Sequence, residues 1–141
     1  MQMNDRLILL MSKAGYALKN YLKREFIRGG VWLSPAQSGI LFSLKIKNGL
    51  SMNELSQILS IDNAAVTRHI DILEREGLVK RESDKNDRRK NIIDITDRGI
   101  IEADKARAIA RRVNNMIKEG FTDQEIEVFK NILNSFTVKF V

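Results

Sequence analysis

Asn63, Thr67 and Arg68 bring a carboxamide, a hydroxyl and a guanidinium onto one short stretch of chain, with the small Ala64 among them. At about 100° per residue, Val66, Ile70 and Leu73 fall on one narrow helical stripe. Ala64, Arg68, Asp71 and Arg75 lie opposite that stripe, and Thr67 sits on its flank. The outward N-terminal part of such a helix carries Asn63, Ala64, Thr67 and Arg68. A guanidinium can bond guanine bidentately, and a carboxamide can do the same to adenine. Alanine lets a helix come close, and its methyl can touch a thymine methyl. Thr67 suits a phosphate or a single base contact. This is the chemistry of reading a base edge. The competing reading is a helix hairpin of an unrelated all-α protein with Arg68 merely solvated. The segment after Glu76 disfavours it.

Gly77 is followed by Leu78-Val79, which opens a strand, and Ile92, Ile93 and Ile95 fill a second one. Between them runs Asp84-Lys85-Asn86-Asp87-Arg88-Arg89-Lys90. From Lys80 to Lys90 there are six positive and three negative groups. An Arg beside an Asp can be held in one rotamer by a charge-assisted bond. An Arg at a loop tip can enter a narrow minor groove, where the negative potential is enhanced. Lys85 and Lys90 would add phosphate contacts and salt dependence. A charge run can also be a polar turn on a solvated edge. Its position directly behind a helix pair favours duplex DNA.

These groups need elements to hold them. Ser34-Pro35-Ala36-Gln37, Ser51-Met52-Asn53-Glu54 and Thr122-Asp123-Gln124-Glu125 fit the capping box that starts a helix. Asp62 is a further N-cap, and Gly77 is a helix-ending C′ glycine. The spacing predicts helices over about Asp5–Arg28, Pro35–Lys47, Met52–Leu59, Asn63–Glu76, Asp97–Glu119 and Asp123–Phe140. Strands are expected over Leu78–Ser83 and Asn91–Ile95. The class is mainly α with a small β-hairpin. Met52–Leu59 and Asn63–Glu76 form a helix-turn-helix, in which one helix holds the other in the major groove.

Composition narrows the function further. Lys and Arg exceed Asp and Glu by 24 − 18 = 6, a balance that favours polyanionic partners without setting a sequence preference. Residues 62–98 carry nine of each sign, so positive charge is concentrated in the loop. The chain has no cysteine and one histidine. A thiol switch, a Cys-based metal site and a multi-histidine site within one chain are thereby excluded. No cofactor is implied. HExxH, GxSxG and phosphate-cradling Gly-rich motifs are missing, which argues against an enzyme. The apolar run Leu7–Met11 is too short for a signal-peptide core, and no stretch approaches the roughly 20 apolar residues that span a bilayer. The expectation is a cytoplasmic chain with no membrane partner. His69, near the edge of the core stripe, reads as structural or solvated, although it could approach DNA. Trp32, Phe42 and Tyr16 read as packing residues.

Three stretches resemble the MarR family, the multiple-antibiotic-resistance type of transcriptional regulators. Leu33-Ser34-Pro35-Ala36-Gln37 looks like the family's lead into its second helix. Asn63 to Val79 (NAAVTRHIDILEREGLV) resembles its recognition helix and exit. Asp84 to Arg89, followed by Ile95-Thr96-Asp97-Arg98-Gly99, looks like its wing and next helix. The resemblance implies a homodimer whose two winged-helix lobes bind a palindromic operator. It implies that Arg89 enters the minor groove with Asp87 orienting it, and that Arg88 lies nearer the backbone. It also implies a small anionic or phenolic effector bound between the dimerisation helices and the DNA lobe. Pocket residues vary widely in the family, and none is carried over.

The end helices support a dimer independently. Leu7, Met11, Ala14, Leu18 and Tyr21 or Leu22 follow one helical stripe, and Ile126, Phe129, Leu133, Phe136 and Phe140 follow another. Either stripe could pack within its own chain. Together they leave more apolar surface than a small central lobe can cover, and exchange with a second chain in an isologous contact would bury it. The expected organisation is a single domain over 1–141. Residues 34–98 form its winged helix-turn-helix lobe, and residues 1–30 and 99–141 its dimerisation lobe. The expected function is ligand-responsive repression through sequence-specific binding of double-stranded DNA. The alternative is a winged-helix module, such as an antirepressor, that contacts protein and not DNA.

Overall fold

The computed structural model describes residues 6–141. Its elements run α1 (Leu7–Arg28), α2 (Pro35–Ile46), β1 (Leu50–Ser51), α3 (Met52–Leu59), α4 (Asn63–Arg75), β2 (Val79–Ser83), β3 (Asn91–Ile95), α5 (Asp97–Lys118) and α6 (Asp123–Lys139). The chain forms two compact units, one ending at Ile109 and the other covering Ala110–Val141.

The caps foreseen from sequence set the helix starts of the first unit. Ser34 Oγ accepts the Gln37 N–H and Gln37 Oε1 accepts the Ser34 N–H, a complete capping box with Pro35 at the first helical position. Asp62 Oδ1 accepts the Ala65 N–H at the start of α4. Ser51, also the last residue of β1, accepts the Glu54 N–H and forms the hydroxyl half of its box. Gly77 takes φ +74° just after α4, where an L side chain would be strained.

α2, α3 and α4 pack on one another and on the sheet. Their shared core holds Ile40, Leu41, Leu44, Leu55, Val66, Ile70 and Leu73, joined by Phe26 of α1 and Ile93 of β3. The apolar stripe read along α4 is thus the one that the fold buries. The sheet has three antiparallel strands in the order β1-β3-β2. Val79 pairs with Ile95 and Ser83 with Asn91, which closes the expected hairpin. The two-residue β1 adds Leu50 opposite Ile93 and Ser51 opposite Ile92. Its second residue is itself the α3 N-cap, and two residues are too few to show an alternating pattern. At the start of α5, Gly99 is buried and sits so close to the sheet that a Cβ there would be 2.1 Å from the Leu78 carbonyl oxygen.

In the second unit, Thr122 and Glu125 complete the capping box of α6. The Phe136 and Phe140 rings meet edge to face with centroids 5.6 Å apart.

Candidate nucleic-acid interface

α4 presents its N-terminal turns to solvent. Asn63, Ala64, Thr67 and Arg68 are all exposed, while Val66 and Ile70 are buried beneath them. Asn63 Nδ2 donates to Asn53 Oδ1 of α3 at 2.9 Å. The Thr67 hydroxyl donates back to the Asn63 carbonyl at 2.9 Å. Its proton is spent there, so the oxygen remains as an acceptor. In this rotamer Thr67 suits a base amino group better than a phosphate, which offers only acceptors.

His69 is half-buried and turned toward α2. Its Nδ1 lies 3.4 Å from Nε2 of Gln37, a residue only 8% exposed. Gln37 Nε2 can only donate, so this contact needs Nδ1 unprotonated and the ring hydrogen on Nε2. Burial lowers the His69 pKa, and the positive charge of neighbouring Arg68 lowers it further.

The hairpin is anchored to α4 by a residue whose role sequence reasoning missed. Arg81, on β2, places Nη2 2.5 Å from Asp71 Oδ1 and 3.3 Å from Glu74 Oε1. The Asp71 hydrogen bond raises the Arg81 pKa above its ordinary value, with the Glu74 charge adding to it. At the tip, Asp84 Oδ1 accepts the Asn86 N–H, and Asp87 Oδ1 accepts the Arg89 N–H at 3.0 Å. The Asp84 N–H donates to the Lys90 carbonyl and the Lys90 N–H to the Asp87 carbonyl. The contact between Asp87 and Arg89 therefore runs through the main chain, and it shapes the turn that carries the guanidinium. Lys85, Arg88, Arg89 and Lys90 are exposed around that turn.

Residues 33–90 match the model of the MarR family. An uncharacterized HTH-type transcriptional regulator of Bacillus subtilis, YdgJ, is 30% identical over 110 residues, covering 67% of each chain. The chain belongs to the MarR family of transcriptional regulators. The repressor MdtR of B. subtilis is 29% identical over 94 residues, covering 67% of this chain and 61% of its own length. BpsR of Bordetella bronchiseptica, whose DNA binding is regulated by 6-hydroxynicotinic acid, shares the fold with a TM-score of 0.89 at 19% identity. The match covers 97% of this chain and 96% of that one.

In this MarR-family chain the expected reader residues and wing residues occupy two exposed elements tied together by Arg81. The stripes on the end helices are open to solvent in the single chain. Leu7, Met11 and Leu18 are exposed on α1, as are Phe129 and Leu133 on α6, and Ile126 and Phe136 are half-buried. Ile8 of α1, and Val128 and Ile132 of α6, widen these faces. Two packing assignments are corrected. Trp32 is 78% exposed and Tyr16 73% exposed, whereas Phe42 is half-buried. Trp32 sits in the loop after α1, where no helical period constrains its direction. No helix among the described residues is long and apolar enough to cross a membrane.

Proposed function

We propose that this chain is a homodimeric repressor that binds a palindromic operator and is released by a small anionic or phenolic effector. The observation that carries the reading is the fork from Arg81 to Asp71 and Glu74. It ties an exposed helix face bearing Asn63, Ala64, Thr67 and Arg68 to a wing bearing Lys85, Arg88, Arg89 and Lys90. α4 then enters the major groove with Arg68 and Asn63 at base edges. Arg89 enters the flanking minor groove. Lys85, Arg88 and Lys90 neutralise phosphates. Asp87 orients Arg89 by fixing the turn beneath it.

Dimerisation uses the exposed apolar faces of α1 and α6, centred on Leu7, Met11, Leu18, Ile126, Phe129, Leu133 and Phe136. The likeness to MdtR supports repression, and the likeness to BpsR supports control by a small molecule. A cleft of about 350 Å³ lies among the α1–α2 loop, the C-terminal end of α4 and the start of α5. Trp32, Leu33 and Ile72 supply its apolar wall, and Gln37, Arg98 and Glu102 are among its polar groups. Its volume is at the small-ligand end of the usual range. Gln37 also touches His69 of α4, so a ligand there would meet a residue coupled to the reader helix.

Selection from random duplexes, followed by titration of binding against salt, tests this function. The expected result is an inverted-repeat site and an affinity that falls steeply with salt. A chain that binds duplex DNA without sequence preference is no operator-binding repressor, and for one that does not bind DNA the protein-contacting module would replace this reading.

A further inference from the structure

We propose that Asn53 of α3 is a positioning residue for sequence specificity, setting which edge of the Asn63 carboxamide faces the DNA. The inference rests on the reading of α4 as the helix that enters the major groove. Asn63 Nδ2 donates to Asn53 Oδ1 at 2.9 Å. Both residues lie in the first turn of their helices and both are exposed. The bond therefore sits on the surface where α4 begins, beside the face that carries Thr67 and Arg68.

An unpartnered asparagine amide can turn over, exchanging its oxygen and nitrogen. The two orientations present opposite hydrogen-bonding patterns. Held against Asn53 Oδ1, Asn63 keeps its nitrogen toward Asn53, and only a turn of both amides together would reverse it. One N–H satisfies Asn53, leaving the other N–H and Oδ1 as a donor and an acceptor. That pair matches the N7 acceptor and N6 donor of adenine in the major groove. The Thr67 hydroxyl, bonded to the Asn63 carbonyl, holds the same residue through its main chain. Asn53 thus selects adenine through Asn63 without needing to touch a base.

The test is binding-site selection with the full chain, with the melting temperature of each variant as a check on folding. Asn63→Ala and Asn53→Ala are both expected to relax an adenine preference at the same half-site position, by about tenfold. Asn53→Asp retains the acceptor, so the preference should survive while the added negative charge weakens binding to every sequence. Asn53→Lys offers only donors. It should draw the Asn63 oxygen inward, turn the NH₂ outward, and move the preference toward the acceptor-only edge of guanine. If Asn63→Ala relaxes the preference while Asn53→Ala and Asn53→Lys leave it unchanged, the role of Asn53 is wrong and the reader helix stands. If Asn63→Ala changes nothing, Asn63 reads no base and the proposal falls with it. If Asn53→Ala fails to fold, the opposed outcomes for Asp and Lys decide.

Discussion

Arg68 stands exposed on α4 above the buried stripe of Val66, Ile70 and Leu73. Removing its guanidinium should leave the core untouched. Arg68→Ala is expected to cost roughly 1–3 kcal/mol of operator affinity and relax preference at one position per half-site. Competition binding against single-base operator variants checks this, and an unaltered preference profile would remove Arg68 from the reading set. His69 gives a pH signature. Its pKa is lowered from 6.5 by burial and by Arg68, so the folded chain holds the proton less tightly than the unfolded chain. Unfolding then takes up protons, and the contribution to stability is present above pH 6.5 and lost as the pH falls toward the lowered value. Protonation also ends the Gln37 contact by turning Nδ1 into a donor. Urea unfolding of wild type and His69→Gln across about pH 5–7.5 should show a smaller loss on acidification in the variant. Parallel curves would show that His69 contributes nothing to the pH dependence.

Between elements, Arg81 is the polar link from the hairpin to α4. Val79 and Ile93 bury the base of the hairpin in the core, and Arg81 adds a polar tie from β2 to α4. The fork to Asp71 and Glu74 fixes the wing to the C-terminal half of the reader helix. Arg81→Ala should therefore weaken DNA binding and also diminish the loss caused by Arg89→Ala. A double-mutant cycle is expected to show coupling of about 0.5–3 kcal/mol, and additive losses would mean that the wing keeps its place without Arg81. A second close approach lies at the start of α5. A methyl at position 99 would meet the Leu78 carbonyl at 2.1 Å and Ile95 Cγ1 at 2.7 Å. Gly99→Ala should destabilise the fold by about 1–3 kcal/mol, the usual cost of overpacking, as read by denaturant midpoint. A midpoint equal to that of the wild type would show that α5 moves off the sheet freely.

For the molecule as a whole, the proposed dimer rests on the exposed apolar faces of α1 and α6. Phe129 and Leu133 are 48% and 41% exposed in the single chain. Burial against a second copy stabilises at roughly 25 cal/mol per Å² of apolar surface, less the cost of association. Sedimentation at micromolar concentration should report a dimer. The pair Phe129→Glu with Leu133→Glu should yield a folded monomer, with helical circular dichroism retained and operator affinity reduced. A dimer that survives both substitutions would place the interface elsewhere.

Much of the fold and of the α4 surface was legible in the sequence because it is encoded locally. The Ser34–Gln37 and Thr122–Glu125 boxes, the Asp62 cap, Gly77 and the Val66-Ile70-Leu73 stripe are short-range patterns. Each arises from hydrogen-bonding capacity or helical period within a few turns. The outward residues Asn63, Ala64, Thr67 and Arg68 came with the same period, and the hairpin with its two apolar strands. The partners of these residues were decided only by the tertiary structure. Asn53 reaching Asn63, Gln37 reaching His69 and Arg81 reaching Asp71 each depend on the distance and angle between two packed elements. Asp71 falls opposite the core stripe, and only the sheet brings Arg81 of β2 beside it. Trp32 and Tyr16 read as packing residues because aromatic side chains favour burial, but the composition of a chain does not fix which side of a loop or helix its neighbours will cover. Helical period and capping chemistry set each element. The packing of one element on another, which depends on the whole core at once, set the contacts between them.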